Sequence, residues 1–95
     1  METYMIIEHY RPWKTEEIYI RFSEKGRMLP EGVEFVNSWI EVNLQKCYQV
    51  MKSNTPEKLV EWIDNWKDLV DFEVIPVLNS QEANEQAHRK ETEAS

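Results

Sequence analysis

The sequence contains few of the residues that interrupt or cross-link a chain. Only two glycines and one cysteine occur among its 95 residues. So few glycines exclude a glycine-rich phosphate-binding loop, and the lone Cys47 excludes an internal disulfide and any CxxC metal site. The two histidines, His9 and His88, are far apart and provide no metal-ligand spacing. We therefore predict no bound metal and no cofactor, and nothing in the cysteine content indicates an oxidising compartment.

Basic residues and long apolar runs are also scarce. Eleven Lys and Arg against 18 Asp and Glu give a formal net charge of −7. Such a surface repels phosphate backbones, so we predict no nucleic-acid partner. No run approaches the roughly 18 apolar residues of a membrane-spanning helix, and the N-terminus lacks the basic segment of a signal peptide. We expect a cytoplasmic protein without a membrane partner.

Large apolar side chains are what the sequence does have, because 12% of its residues are aromatic. They help a chain of this length, which buries only about two-thirds of its surface, to form a core. We predict one domain over residues 1–79. Residues 80–95 are polar and are predicted to form a C-terminal helix or tail.

Alternation, helical spacing and turn residues predict six elements in the domain. Strands are expected at residues 3–10, 33–42, 46–52 and 71–78. The first helix is expected to begin at an N-cap, Thr15, and to end at Gly26. The second helix has the clearest start, where Thr55 is followed by Pro56, and its apolar face is predicted to run on to Val70.

This order, βαββαβ, is that of the α+β ferredoxin-like architecture, in which two helices cover one face of a four-stranded antiparallel sheet. The other face of the sheet is left without a covering layer. By analogy with similar folds, we predict that two copies press these faces together into a dimeric α/β barrel, a homodimer with room for a pocket.

Alternation divides the second strand into two faces. Val36, Ser38, Ile40 and Val42 are expected to pack against the helices, and the opposite face carries Phe35, Asn37, Trp39 and Glu41. The length of the turn between the second and third strands decides which residues of the third strand lie on the same face as Trp39. One turn length places Tyr48, Val50 and Lys52 there, and a change of one residue places Cys47, Gln49 and Met51 there instead.

Several polar side chains are candidates for chemistry. His9 could act as a general base, and it is the one plausible axial ligand if the fold analogy extends to a tetrapyrrole. Glu41, beside Trp39, could act as an acid or base in a dimer cavity, or pair with a basic residue. The combination of the polar Asn37 with the aromatic Trp39 is similar to the residue types in the pockets of cofactor-independent monooxygenases, which use the dimeric barrel.

The other candidates have ordinary structural explanations as well. Cys47 has no adjacent histidine to activate it, so a buried, inert thiol is expected. Arg27 could bind an anionic group at the rim of a pocket, although loop arginines are usually solvated or paired with an acidic side chain. Trp62 and Trp66 lie four residues apart, and core packing explains their spacing better than ligand binding does.

Five strings in the sequence are unusual: residues 7–10, 26–32, 38–41, 47–51 and 66–77. Together they resemble a small bacterial family known as a domain of unknown function, number thirty-three-oh-three in its series, from about Tyr4 to Ser80. The resemblance implies a ferredoxin-like and dimeric fold but no activity. The candidate residues that lie in its recognisable strings are Glu8, His9, Arg27, Trp39, Glu41, Cys47 and Gln49.

Two kinds of function fit these observations. In the first, a homodimer binds a small organic ligand in a pocket at the sheet face, or turns it over with His9 and Glu41 as acid and base. In the second, the aromatic sheet face is a non-enzymatic surface for dimerisation or protein interaction. The sequence contains no complete catalytic constellation, so binding is favoured over catalysis.

Overall fold

The structure is a computed structural model that describes residues 1–94, with side chains to residue 89. Its elements are β1 (Glu2–Tyr10), α1 (Thr15–Lys25), β2 (Val33–Ile40), β3 (Lys46–Ser53), α2 (Pro56–Asp64), β4 (Val70–Val77) and α3 (Ser80–Ala94). The four strands form one antiparallel sheet in the order β2-β3-β1-β4. The predicted α+β ferredoxin-like fold is confirmed.

The core lies between one face of the sheet and helices α1 and α2. Strand β1 alternates, so that Tyr4 and Ile6 are buried on this face while Met5 and Ile7 point to the other. Ile18 of α1 and Leu59 and Trp62 of α2 complete the buried cluster. We call the opposite side of the sheet, which carries Met5, Ile7, His9, Trp39, Tyr48, Val50, Glu73 and Ile75, the open face.

The helix boundaries follow from their end residues. Thr55 caps α2 as predicted, since its hydroxyl accepts a hydrogen bond of 3.3 Å from the backbone N–H of Lys58. Gly26 ends α1, also as predicted. The prediction that Thr15 caps α1 is wrong, because Thr15 is already helical and its hydroxyl donates to the carbonyl of Leu44 instead.

Two other elements, β2 and α2, end at least two residues earlier than predicted. Strand β2 stops at Ile40 rather than residue 42, because the backbone N–H of Glu41 donates to the carbonyl of Lys46 and begins the hairpin turn. Helix α2 stops at Asp64, and Val70 already belongs to β4. The helical spacing of the apolar residues continues through this turn, which explains the overlong helix prediction.

Strand β2 contains a bulge that changes the predicted faces. Its pairing with β3 shifts between Phe35 and Asn37, which leaves Val36 as an extra residue. As a result Phe35 faces the helices and packs against the core, whereas Val36 is exposed. The assignments of Phe35 and Val36 are therefore wrong, and so is that of Val42, which lies beyond the end of β2 and is fully exposed. Ser38 and Ile40 keep the predicted helix side.

The edge position of β4 agrees with its proline. β4 pairs only with β1, and Pro76 lies opposite Tyr4. Proline has no backbone N–H to donate to a sheet, so an edge strand accepts it. After β4, Asn79 and Glu82 cap α3 reciprocally: each backbone N–H donates to the other residue's side chain, at 3.0 and 2.8 Å.

Candidate functional site

The pairing of β1 with β3 brings three of the candidate side chains together. Glu8 lies opposite Cys47, and Ile6 lies opposite Gln49, so all four side chains share the helix side of the sheet. The pairing of Trp39 with Tyr48 selects the first of the two hairpin alternatives, in which Cys47 and Gln49 face away from Trp39. Polar residues thus replace apolar ones at one end of the core.

A cavity of about 160 Å³ opens at this end of the core, between the sheet and α1. Its sheet side is lined by Glu8, Tyr10, Ser38, Ile40, Cys47 and Gln49, and its helix side by Ile18, Tyr19, Phe22, Trp62 and Trp66. Arg27 completes the lining of the cavity. We call this cavity the helix-side pocket. Its walls are mostly apolar and a few polar groups converge on it, which is the usual composition of a small-molecule site.

The position of Arg27 is fixed by Gly26 at the end of α1 and by two tryptophans, one in α2 and one in the turn that follows α2. Gly26 reverses the chain at the end of α1 with φ 65° and ψ −155°, a combination that only glycine adopts readily. The indole N–H groups of Trp62 and Trp66 both donate to the Arg27 carbonyl, each at 3.1 Å. Asn65 donates to the carbonyl of Met28. The two tryptophans therefore hold the loop as well as fill the core.

A chain of hydrogen bonds links Arg27 to Glu8 through Gln49. Arg27 Nε donates to Gln49 Oε1 at 3.2 Å, and Gln49 Nε2 donates to Glu8 Oε2 at 2.9 Å. The guanidinium carbon also lies 3.5 Å from the ring centre of Phe35 and 5.1 Å from that of Phe22. Among the described residues, the terminal amino groups of Arg27 take part in no hydrogen bond or ion pair.

The carboxyl group of Glu8 has unusual electrostatics. Removal from water raises its pKa from 4.5 to about 7, and the charge of Arg27 and the hydrogen bond from Gln49 oppose that rise only in part. Near neutral pH, Glu8 is therefore present in both its protonated and its ionised form. A carboxyl group of this kind, facing a cavity, is typical of binding and catalytic sites.

Two other groups beside Glu8, the Cys47 thiol and the Tyr10 phenol, stay neutral. Burial raises the pKa of the Cys47 thiol to about 12. Burial also raises the pKa of the Tyr10 phenol, and the neighbouring Tyr19 hydroxyl raises this pKa further. The rings of Tyr10 and Tyr19 pack edge to face, with centres 6.3 Å apart. The Tyr19 hydroxyl is buried and makes no hydrogen bond of good geometry with the described residues.

The remaining candidates lie outside the helix-side pocket. His9 Nε2 is 2.8 Å from Glu73 Oε1 on the open face. Glu41 accepts a hydrogen bond of 2.8 Å from the hydroxyl of Tyr48. Trp39 is 56% exposed, and the Asn37 side chain accepts a hydrogen bond from the backbone N–H of Ser38. The structure thus divides the predicted residues, with Glu8, Arg27, Cys47 and Gln49 at the pocket and the other four elsewhere.

The sequence patterns did not single out six residues that line the pocket: Tyr10, Ile18, Tyr19, Phe22, Ser38 and Ile40. A signal was present for two of them. Ser38 and Ile40 alternate on the helix side of β2, and a serine among apolar residues on a core-facing strand marks a polar position. Tyr10 and Tyr19 come together only through the packing of β1 on α1, which no spacing within one element reveals.

Within the part of the chain that the structure describes, no three His, Cys, Asp or Glu side chains come together as metal ligands do. None of the helices in residues 1–94 is long and apolar enough to cross a membrane.

Comparison with known proteins places the chain in one family. Neither the curated proteins nor the solved structures include a match to it. The model of one protein family does match, over residues 2–91, which covers all four strands and both core helices. The chain therefore belongs to the family described as a domain of unknown function, DUF3303.

Proposed function

We propose that this domain binds a small organic molecule in the helix-side pocket, with an apolar or aromatic body and an anionic end. The observation that carries the proposal is the convergence of Glu8, Gln49 and Arg27 on one cavity with apolar walls. Side chains that serve the core alone do not need a linked carboxyl, amide and guanidinium group, because each costs free energy to bury.

The walls and the volume indicate the kind of ligand. An apolar cavity of roughly 150 Å³ accepts a benzene ring, so about 160 Å³ suits a small molecule rather than a drug-sized one. Phe22, which is 40% exposed, lies at the rim where it can contact an apolar ligand. The unused amino groups of Arg27 have the geometry to bind a carboxylate with two parallel hydrogen bonds.

The test is an NMR titration of the ¹⁵N-labelled protein with a set of small aromatic carboxylates. We expect amide shifts confined to the pocket residues. Arg27→Gln should weaken binding at least about tenfold, since one charge-assisted hydrogen bond is worth roughly 1.5–3 kcal/mol. Arg11→Gln is the matched control, because Arg11 pairs with Asp71 outside the pocket, and it should leave affinity unchanged. Shifts spread over the whole surface, or equal effects of the two variants, would contradict the proposal.

A second candidate function, pairing of two copies through the open face, has its own observation. Trp39 and Ile75 are 56% and 42% exposed there, beside the half-buried Met5 and Ile7. An apolar area of this kind on a sheet favours a partner surface. The face is also acidic along β4, with Asp71 and Glu73, and basic along β3, so a second copy rotated by a two-fold axis provides charge complementarity.

Native mass spectrometry tests the pairing. The expected species is a homodimer, and Ile75→Lys should convert it to a monomer by placing a charge in the apolar centre. Val60→Lys is the control, since Val60 is similarly exposed but belongs to α2, away from the open face. A monomeric wild-type protein at micromolar concentration would rule the pairing out and leave the pocket proposal intact.

A further inference from the structure

The carboxyl group of Glu8 is held in place through one of its oxygen atoms, and the other oxygen atom makes no hydrogen bond with the described residues. It lies on β1, a central strand paired with Cys47 of β3 on one side and Phe72 of β4 on the other. Its Oε2 accepts the hydrogen bond from Gln49, whereas its Oε1 has no hydrogen-bond partner among the described residues. Because Glu8 lines the cavity, this second oxygen is available to a ligand.

We infer that Glu8 transfers a proton within a small oxo acid bound in the helix-side pocket, so that the domain is an isomerase of the keto–enol type. This inference rests on the proposed ligand binding and adds an activity to it. The ionised Glu8 takes a proton from a carbon next to the carbonyl group. The C–H bond breaks, an O–H bond forms on Glu8, and the electron pair moves to the carbonyl oxygen as an enolate.

The return step closes the reaction without any further reactant. Protonated Glu8 gives its proton to the enolate oxygen, which yields the enol, and the reverse sequence regenerates the ketone. Nothing is oxidised or reduced, and Glu8 returns to its ionised form. A single carboxyl group that exists in both forms near neutral pH is suited to such a cycle, because it must be a base in one step and an acid in the next.

Two neighbouring groups provide what an enolate requires. The Tyr19 hydroxyl is buried in the pocket wall beside Tyr10 and has no hydrogen-bond partner of good geometry among the described residues, so a small shift of its ring on ligand binding would let its O–H donate to the developing oxyanion. The positive charge of Arg27 lies on the same cavity and favours both the carboxylate of the ligand and the negative charge of the transition state.

The remaining titratable groups that face Glu8 do not compete with it. They are Tyr10 of β1, Cys47 of β3 and Tyr19 of α1, beside the positively charged Arg27; Trp62 of α2 and Trp66, in the turn after α2, contribute only indoles. Burial keeps the Tyr10 phenol and the Cys47 thiol protonated at neutral pH. Glu8 is therefore the group in the pocket whose charge changes near pH 7.

The test uses phenylpyruvate as the probe, since it has one aromatic ring, a carboxylate and acidic hydrogens next to its carbonyl group. Two readouts are recorded near neutral pH on matched samples: amide shifts of the protein in H₂O buffer, and loss of the ligand's C3 proton signal through deuterium exchange in D₂O buffer. We expect pocket shifts and an exchange rate at least 100-fold above that in buffer, within the usual contribution of one general acid–base group.

Three variants separate the activity from binding. Glu8→Gln should reduce the exchange rate to that of buffer while pocket shifts persist, because glutamine keeps the hydrogen bond to Gln49 but cannot accept a proton. Tyr19→Phe should reduce the rate about tenfold or more with binding retained. Glu61→Gln, which changes an exposed carboxyl on α2 that pairs with Lys58 outside the pocket, is the control and should match the wild type.

The outcomes distinguish the two proposals. Pocket shifts without faster exchange would overturn proton transfer and leave the binding proposal standing. Exchange that persists in Glu8→Gln would also overturn it, because another group would then carry the proton. No shift with phenylpyruvate overturns the oxo-acid class, and the carboxylate titration described above then decides separately whether the pocket binds ligands at all.

Discussion

Protonation of Glu8 is coupled to the stability of the fold. Its pKa is 4.5 when unperturbed and about 7 in the folded chain, so the folded state holds its proton more tightly. Stability from this group is complete below pH 4.5 and declines as the pH rises through 7, because ionisation is then easier in the unfolded chain. Burial of Glu8 thus costs stability at alkaline pH, as is common at functional sites.

We predict that Glu8→Gln unfolds at higher urea concentration than the wild type at pH 8.5. The expected gain is about 2 kcal/mol, which is less than the full pKa change corresponds to because the pocket is partly open to water. At pH 4 the two proteins should differ by less than about 0.5 kcal/mol. A difference that is the same at both pH values would show that the charge of Glu8 is not its cause.

Cys47 is predicted to react slowly with alkylating reagents. The thiol is 5% exposed and burial raises its pKa to about 12, so almost no thiolate is present at pH 8. We expect iodoacetamide to label the folded protein at least about 100-fold more slowly than the urea-unfolded protein. Mass spectrometry of timed samples measures both rates, and similar rates would contradict the buried position.

The sequence singled out individual residues that line the pocket better than it predicted their grouping. Glu8, Arg27, Cys47 and Gln49 were selected as candidates, and all four line the helix-side pocket. Their grouping depended on the β2–β3 hairpin, where one residue more or less exchanges the two faces of β3. That choice is made by the contacts of the assembled sheet, so local spacing left both alternatives open.

At the scale of elements, the junction of α1 with the Arg27 loop depends on Gly26. Its φ of 65° and ψ of −155° fall in a region nearly restricted to glycine, although an added Cβ would meet no atom within 4 Å. We predict that Gly26→Ala costs about 1–3 kcal/mol in urea unfolding, from backbone strain alone.

Ser23→Ala provides a control on the same helix, since it is exposed and helical and should change stability by less than about 0.5 kcal/mol. Ligand affinity should fall in Gly26→Ala as well, because Arg27 follows directly. A variant as stable as the wild type would mean that the loop adopts another conformation without cost.

The elements themselves were largely predictable, and their errors have physical causes. The order, the edge position of β4 and the cap at Thr55 follow from alternation, a proline without an N–H and a hydroxyl before Pro56. The bulge at Val36 has no such signal, because every residue from Val33 to Ile40 continues a plausible alternation. Thr15 is a good cap by residue type, but the hairpin carbonyl of Leu44 takes its hydroxyl.

At the scale of the whole molecule, we predict that residues 80–95 can be removed without loss of the fold. The side chains of α3 from residue 80 to 89 are all exposed, and the buried core is complete without them. A chain that ends at Asn79 should keep its free energy of unfolding within about 0.5 kcal/mol. The same comparison tests the predicted domain boundary at residue 79.

Leu59→Ala sets the scale for that measurement. Leu59 is 2% exposed in the core, so its truncation should cost about 2–5 kcal/mol. A loss of similar size in the shortened chain would show that α3 is part of the domain.

The four tryptophans are divided by environment, with consequences for spectroscopy. Trp62 and Trp66 are 2% and 6% exposed beside the pocket, whereas Trp13 and Trp39 are 97% and 56% exposed. Emission from the first pair should be blue-shifted and shielded from iodide, and emission from the second red-shifted and readily quenched. With the exposed pair quenched, the remaining fluorescence reports on the indoles bonded to the Arg27 carbonyl. A change in this fluorescence on addition of a ligand would therefore test occupancy of the pocket without any label.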